Sequence, residues 1–287
     1  MTSPDNAAAA LSYCGGEARR HDNDRFLTAL FAPAPAREAL FALIAFNYEV
    51  ARTREVASDP TLGLIRLQWW RDAVAACYGE GALPPHPGVE PLAAAVRDFN
   101  LSRARFDALI DAREADMEED PPHTLADLER YAEATSAPLH CLMLEVLGAR
   151  DERTAQAAAD AATAYALAGL LRATMVMARR GRVLLPSAVL ETHGCRRRSI
   201  LEGEPSAELA ACVAEVGGRA LARLQAALGA RRGVPKAARP AFLPAVLAGL
   251  SLRRLQNAGW APFSSAALSP SPWRHAALAW AAATGRY

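Results

Sequence analysis

Residues 152–186 read ERTAQAAADAATAYALAGLLRATMVMARRGRVLLP, and this stretch decides the fold class. Its first part is Ala-rich, with Leu, Arg, Glu and Gln, the residues that lose least freedom in a helix. A helix is expected over about residues 152–180, broken by Gly181–Gly194 with Pro186 inside the break. Working outward, Leu40, Ile44 and Tyr48 stand four apart on one helical face, downstream of a break at Pro33 and Pro35. Asp59-Pro60 opens another helix, with Asp as N-cap and Pro in the first turn. Further helical patterns cover about 89–100 and 103–119. Thr124 with Asp127 reads as a capping box for a helix to Leu147, kinked at Pro138. Helices at about 206–231, 240–258 and 272–283 complete the pattern.

Composition agrees. Hydrophobic residues make up 52% and charged residues 22%, enough apolar surface for a packed core. Runs of Val, Ile and Thr are almost absent, which argues against a large sheet. A net charge of +1 argues against bulk binding to nucleic acid. The first residues show no basic stretch followed by an apolar run, so no secretory signal is expected, and no uninterrupted apolar run reaches spanning length. Five cysteines without a C-x-x-C pair suggest neither a zinc knuckle nor a disulfide scaffold, and fit a reducing cytoplasm. The expected organisation is a flexible tail over 1–20 and one all-α helical domain over 21–287, a bundle around a central cavity.

Four segments carry a family resemblance: RFLTALFAPAPAREALFALIAFNYEVAR (25–52), LQWWRDAV (67–74), LADLERYAEATSAPLHCLMLEVLG (125–148) and LLRATMVMARRGRVLLP (170–186). In order and spacing they resemble the squalene/phytoene synthases. The resemblance implies an isoprenoid-synthase bundle in which two facing helices hold Mg²⁺ through Asp clusters, the ions then drawing off diphosphate. Magnesium wants hard oxygen ligands, and carboxylates four apart share one helical face, so each cluster forms half a clamp.

At the implied positions the ligands are missing. The first cluster falls on Ala51, Arg52, Thr53, Arg54 and Glu55, where Glu55 alone keeps a carboxylate. The second falls on Ala173 to Met177 and keeps none, and the Asn implied four residues earlier is Gly169. Arg172, Arg179, Arg180, Gly181, Arg182 and Pro186 around it are retained. The catalytic set is therefore expected to be degenerate at Ala51, Arg52, Glu55, Ala173 and Met177. Tyr48, Arg52, Tyr165, Gly169, Arg172, Arg179 and Arg182 remain as candidate ligand-binding residues. No metal ligand is expected. The acidic run from Asp111 to Asp120 reads as a solvated helix end. Tyr48, Tyr131 and Tyr165 are either core residues or the lining of a prenyl cavity, and the arginines of ARRGR either bind phosphate or cap a helix. Of the adjacent Trp69 and Trp70, one should be core. Trp260, Phe263, Trp273 and Trp280 either pack on the domain or form a contact surface.

The motif variants ARTREVASDP, IRLQWWRD and LRAT resemble a degenerate branch of the family related to a respiratory complex I assembly factor. That resemblance implies an accessory role toward a complex I subunit or assembly intermediate, with no prenyl transfer and no cofactor, in a bacterial cytoplasm with peripheral contact at the inner membrane left open. The alternatives are an active prenyltransferase using Mg²⁺, or a protein holding an isoprenoid, quinone or lipid in the old cavity. If the fold is kept, Ala51 and Ala173 should face each other between antiparallel helices.

Overall fold

The computed structural model describes residues 11–118, 120–269 and 271–287, and no strand occurs among them. The chain opens with α1 (Tyr13–His21), α2 (Asn23–Ala29), α3 (Ala34–Ala51) and the single turn α4 (Thr53–Val56). Next come α5 (Pro60–Cys77), α6 (Val89–Phe99), α7 (Arg103–Ala112) and a 3-10 turn at Glu114–Met117. α8 (Leu125–Ala134) and α9 (Ala137–Val146) lead into α10 (Glu152–Arg179). Beyond it lie α11 (Ser187–Thr192), α12 (Arg197–Leu201), α13 (Ala207–Ala230), α14 (Leu243–Asn257), α15 (Ser265–Leu268) and α16 (Arg274–Thr284).

The organising element is α10. The Asp151 side chain caps its start by accepting the Thr154 N–H at 2.8 Å. Gly181 closes its end at φ 74°, a conformation that favours glycine. There the Arg182 N–H reaches back to the Met177 carbonyl at 2.9 Å. Its buried side is built from Ala157, Ala158, Ala161, Ala164, Leu167 and Leu171. Short side chains let neighbouring axes approach closely, and α13, α14, α9 and α8 all pack on it. By length and composition α10 would suffice to cross a membrane. Half of its most apolar window is buried among those four helices, as befits the core helix of a bundle.

Around this axis the interior is continuous. Leu40, Leu43 and Ile44 of α3 are fully buried. Phe46 meets Trp70 and Phe106 edge-to-face at 5.5 and 5.3 Å. Trp70 is 1% exposed and Trp69 38%, so the adjacent pair divides between core and surface. Gly217 of α13 lies flat under the Trp260 ring, where a Cβ would come within 2.2 Å of it. Arg223 ties three helices together: from α13 it binds Glu129 and Glu133 of α8 at 2.5 and 2.9 Å, and Asp160 of α10 at 2.8 Å.

Three expectations need correction. Residues 13–20 are not tail but belong to α1, capped by Ser12, with Cys14 and Ala18 buried. The burying residues are small, so the segment shows no apolar periodicity, yet small is what fits beside Phe41. Second, Pro138 does not kink a long helix. The helix stops at Ala134, and Pro138 stands in the first turn of α9, where its missing N–H is not needed. Third, the acidic run is not wholly solvated. Asp116 sits in the 3-10 turn at 8% exposure, accepting a hydrogen bond from Tyr131 Oη at 2.6 Å.

Candidate functional site

The two degenerate motifs end up beside each other. Glu55 of α4 forms an ion pair with Arg180, the residue that follows the last turn of α10. Further back, the Arg25 guanidinium of α2 lies 4.8 Å over the Tyr165 ring of α10, while Phe26 stacks on Phe41 of α3 at 5.2 Å. Passing from Phe41 to Glu55 therefore follows α10 from Tyr165 to Arg180, so α3 and α10 run in the same sense. The expectation of antiparallel helices is corrected. Both motifs occupy the C-terminal ends of their helices, and those ends can meet only at the same end of the bundle.

On the first wall, Tyr48 has two close neighbours. His21 stacks on one side at 4.0 Å with planes 8° apart, and the Arg52 guanidinium lies 5.2 Å from the ring centre. Arg52 also pairs with Glu49 at 3.3 Å, and Arg66 of α5 reaches the same carboxylate at 2.6 Å. Glu49 is 5% exposed, so two cations compensate one buried carboxylate. Arg52 is thus committed to its own helix and its neighbours. Ala51 is half-buried and offers no ligand atom.

On the second wall, Tyr165 Oη approaches Asp24 at 3.4 Å. Burial pushes the Tyr165 phenol pKa up, which keeps it a neutral donor. Arg172 reaches Asp24 at 3.7 Å and Ser251 at 3.4 Å, and Arg274 reaches Asp24 at 3.6 Å. Asp24 therefore gathers side chains from α10 and α16 onto α2. A Cβ at Gly169 would meet no atom within 4 Å, so open space lies above it. Ala173 and Met177 continue this row half-buried, and Val176 beside it is 46% exposed. Arg179 is exposed and makes no ion pair among the described residues.

Behind the row, Leu128, Leu170, Met177, Val183 and Val216 enclose a cavity of about 10 Å³, room for about one water. A more open pocket of about 300 Å³ adjoins it, sharing Leu128 and Leu184. Asp116, His123, Tyr131 and Arg182 line this second pocket. Arg113 supports Asp116 at 3.3 Å, and burial raises the Tyr131 pKa. Of the candidates, Arg182 thus belongs with Tyr131, Met177 with Leu128 and Leu170, Tyr165 and Arg172 with Asp24, and Tyr48 and Arg52 with Glu49. Sequence reasoning missed Asp24 and His21, and read Asp116 as part of a solvated helix end. Asp24 and His21 lie in a polar stretch at the start of the helical pattern, and Asp116 lay hidden in a run of like charges.

The donor set at the motif positions does not fit a hard divalent cation. Alanine, arginine and methionine replace oxygen ligands, and the carboxylate of Glu55 is taken by Arg180. Among the described residues, no group of three or more His, Cys, Asp or Glu is placed to hold a metal ion.

Comparison with known proteins matches residues 18–274 to the squalene/phytoene synthase family. NADH dehydrogenase (ubiquinone) complex I, assembly factor 6 from Bos taurus is 33% identical over 252 residues, covering 88% of this chain and 75% of that protein. Presqualene diphosphate synthase of Rhodopseudomonas palustris is 30% identical over 165 residues, 56% of this chain and 57% of that protein. The crystal structure of a squalene synthase from Alicyclobacillus acidocaldarius shares the fold with a TM-score of 0.77 at 23% identity, covering 87% of this chain and 94% of that one. With the family profile spanning nearly the whole helical domain and the same bundle found in a solved synthase, this chain belongs to the squalene/phytoene synthase family.

Proposed function

We propose that this chain is a catalytically degenerate synthase homologue that acts as an assembly or accessory factor for respiratory complex I (NADH:ubiquinone oxidoreductase) and transfers no prenyl group. The observation that carries the reading is the Glu55–Arg180 ion pair. It stands where a synthase would need two carboxylate clusters with metal between them. Departure of a diphosphate depends on charge neutralisation by metal, a contribution of several kcal/mol in enzymes that use it. Arginines at positions 52, 172, 179 and 182 could attract an anion, but they supply no octahedral oxygen cage. The identity to the assembly factor over 88% of the chain supports the same reading. The working partner is then a complex I subunit or an assembly intermediate, met at the inner membrane from the cytoplasmic side, and no cofactor takes part.

A second reading, an isoprenoid or quinone held in the old cavity, is favoured by the open apolar row at Gly169, Ala173 and Met177. The enclosed space behind Met177, about 10 Å³, is far too small for a prenyl chain, so such a ligand would need the adjoining pocket of about 300 Å³ or the open row itself. The deciding experiment is native gel analysis of complex I in a deletion strain, paired with isoprenoid profiling. Loss of assembled complex with unchanged isoprenoids is expected. Intact complex I, or Mg²⁺-dependent turnover of farnesyl diphosphate by the purified protein, would overturn the proposal. A copurifying quinone together with intact complex I would favour the second reading.

A further inference from the structure

The exposed face of α16 carries two large apolar side chains. Trp273 and Trp280 are 73% and 62% exposed. Seven residues apart, they lie on one face, about 10 Å from each other along the helix. Ala276, Ala277 and Ala283 continue that face, while Leu278 and Ala281 are buried beneath it, where α16 meets α14. No acidic residue occurs in α16, and its arginine, Arg274, turns inward to Asp24. Beside it runs a groove of about 530 Å³ lined by Phe31, Pro33, Lys236, Arg239, Leu243 and Ala282. Phe31 in that lining is 41% exposed.

Charge is divided sharply along the chain. Residues 216–287 contain ten Arg or Lys and no Asp or Glu. Residues 1–215 hold the other 22 cations against all 31 carboxylates, a surplus of nine negative charges hidden by the net +1. Within the basic part, Arg219, Arg223 and Arg274 are spent on ion pairs with Glu129, Glu133, Asp160 and Asp24. Arg231, Arg232, Lys236, Arg239 and Arg286 make no ion pair among the described residues. Several of them meet the end of α16: Lys236 and Arg239 line the groove with Ala282, the Arg239 guanidinium lies across Gly285, and Arg239 and Arg231 both act on Tyr287. Glu152 and Asp160 approach this region beside Ala230, and Asp160 is already bound to Arg223.

We propose that this face docks on an anionic lipid bilayer, with Trp273 and Trp280 seated at headgroup level and Arg231, Arg232, Lys236 and Arg286 facing the phosphates. Indole rings favour the membrane–water interface, because one edge is apolar and the N–H still finds polar partners. Clustered cations add attraction to acidic headgroups that salt screens. The alanines between the two tryptophans leave no socket on that strip of α16 itself. Such a surface suits a fluid lipid layer better than a shaped protein partner. The inference does not rest on the assembly-factor reading.

Flotation of the full chain with phosphatidylcholine vesicles, with and without phosphatidylglycerol, tests it. The protein should float about tenfold more with the anionic lipid and be released by added salt. The double variant W273A/W280A should lose most of this binding while melting at the wild-type temperature, since both rings are exposed. The charge variant R231Q/R232Q/K236Q should bind less and with a weaker salt dependence, since Arg239 and Arg286 remain. Wild-type protein that stays at the bottom with both vesicles would overturn the proposal. So would a folded W273A/W280A protein that floats like wild type. Salt-sensitive binding to polyglutamate in place of vesicles would assign the face to an acidic protein instead.

Discussion

His140 on α9 is fully buried, its Nδ1 3.1 Å from the Ser136 carbonyl and its Nε2 without a partner. The ring is therefore neutral, with the proton on Nδ1, donating to that carbonyl. Burial and the nearby Arg25 cation push its pKa down from 6.5 to about 3. The unfolded chain takes up this proton near 6.5, and the folded chain does not until about 3. The stabilisation is thus fully present above 6.5 and eroded as pH falls toward 3. Each pH unit inside that window removes up to about 1.4 kcal/mol. Urea midpoints measured at pH 7 and about pH 5 should fall more in wild type than in His140→Leu. Equal falls would show that carboxylates alone set the acid limit. The sequence shows this histidine between leucines and a cysteine, so burial was foreseeable. The unpartnered Nε2 and the proximity of Arg25 were not, because they depend on how α2 lies against α9.

At the scale of elements, Arg223 is the tie among α13, α8 and α10. Glu129 is 8% exposed, and without Arg223 it would keep Arg219 alone at 3.1 Å. Arg223→Ala should therefore destabilise the fold by about 2–3 kcal/mol, below the usual loss for a buried pair because the side chain is partly solvated. A urea-derived change under about 1 kcal/mol would mean that solvent screens the whole network. Long helices were legible because apolar periodicity and caps are local signals. The α10 boundaries follow from Asp151 and Gly181, and the capping box at Thr124 forms as read, both of its side-chain bonds present. Elements stabilised by small residues were not legible. α1 buries Cys14, Gly15 and Ala18, a set that carries no hydrophobic stripe. The break between α8 and α9 also escaped, because Pro138 is compatible with either a kink or a new first turn.

At the scale of the whole molecule, the all-helical class came from helix-forming composition and apolar periodicity, and the family from motif order along the chain. The relative direction of α3 and α10 did not, although both motif positions sit just before a helix end, a cue that could have indicated it. The terminal tryptophans divide rather than act together: Trp260 packs on Gly217, while Trp273 and Trp280 stand out in solvent. A pattern of aromatic residues states that a face exists, but neighbouring side chains decide which way it turns. The partition of charge is likewise invisible in the net value and becomes meaningful once Arg231, Lys236 and Arg239 meet the end of α16.

The pairing of Glu55 with Arg180 alters how the fold is coupled to its solutes. A protein with acidic lips on both sides is strained by repulsion until divalent ions arrive, so its melting temperature climbs with their concentration through mass action. Here the lips carry opposite charges and hold one another, and that reservoir of ion-linked stabilisation is gone. Melting curves in EDTA and in Mg²⁺ with pyrophosphate should superimpose, and a rise of several degrees on adding both would contradict the pairing. Sodium chloride should weaken this half-exposed contact instead. The mouth of the bundle then answers to ionic strength, as a latch that monovalent salt loosens and no chelator can open.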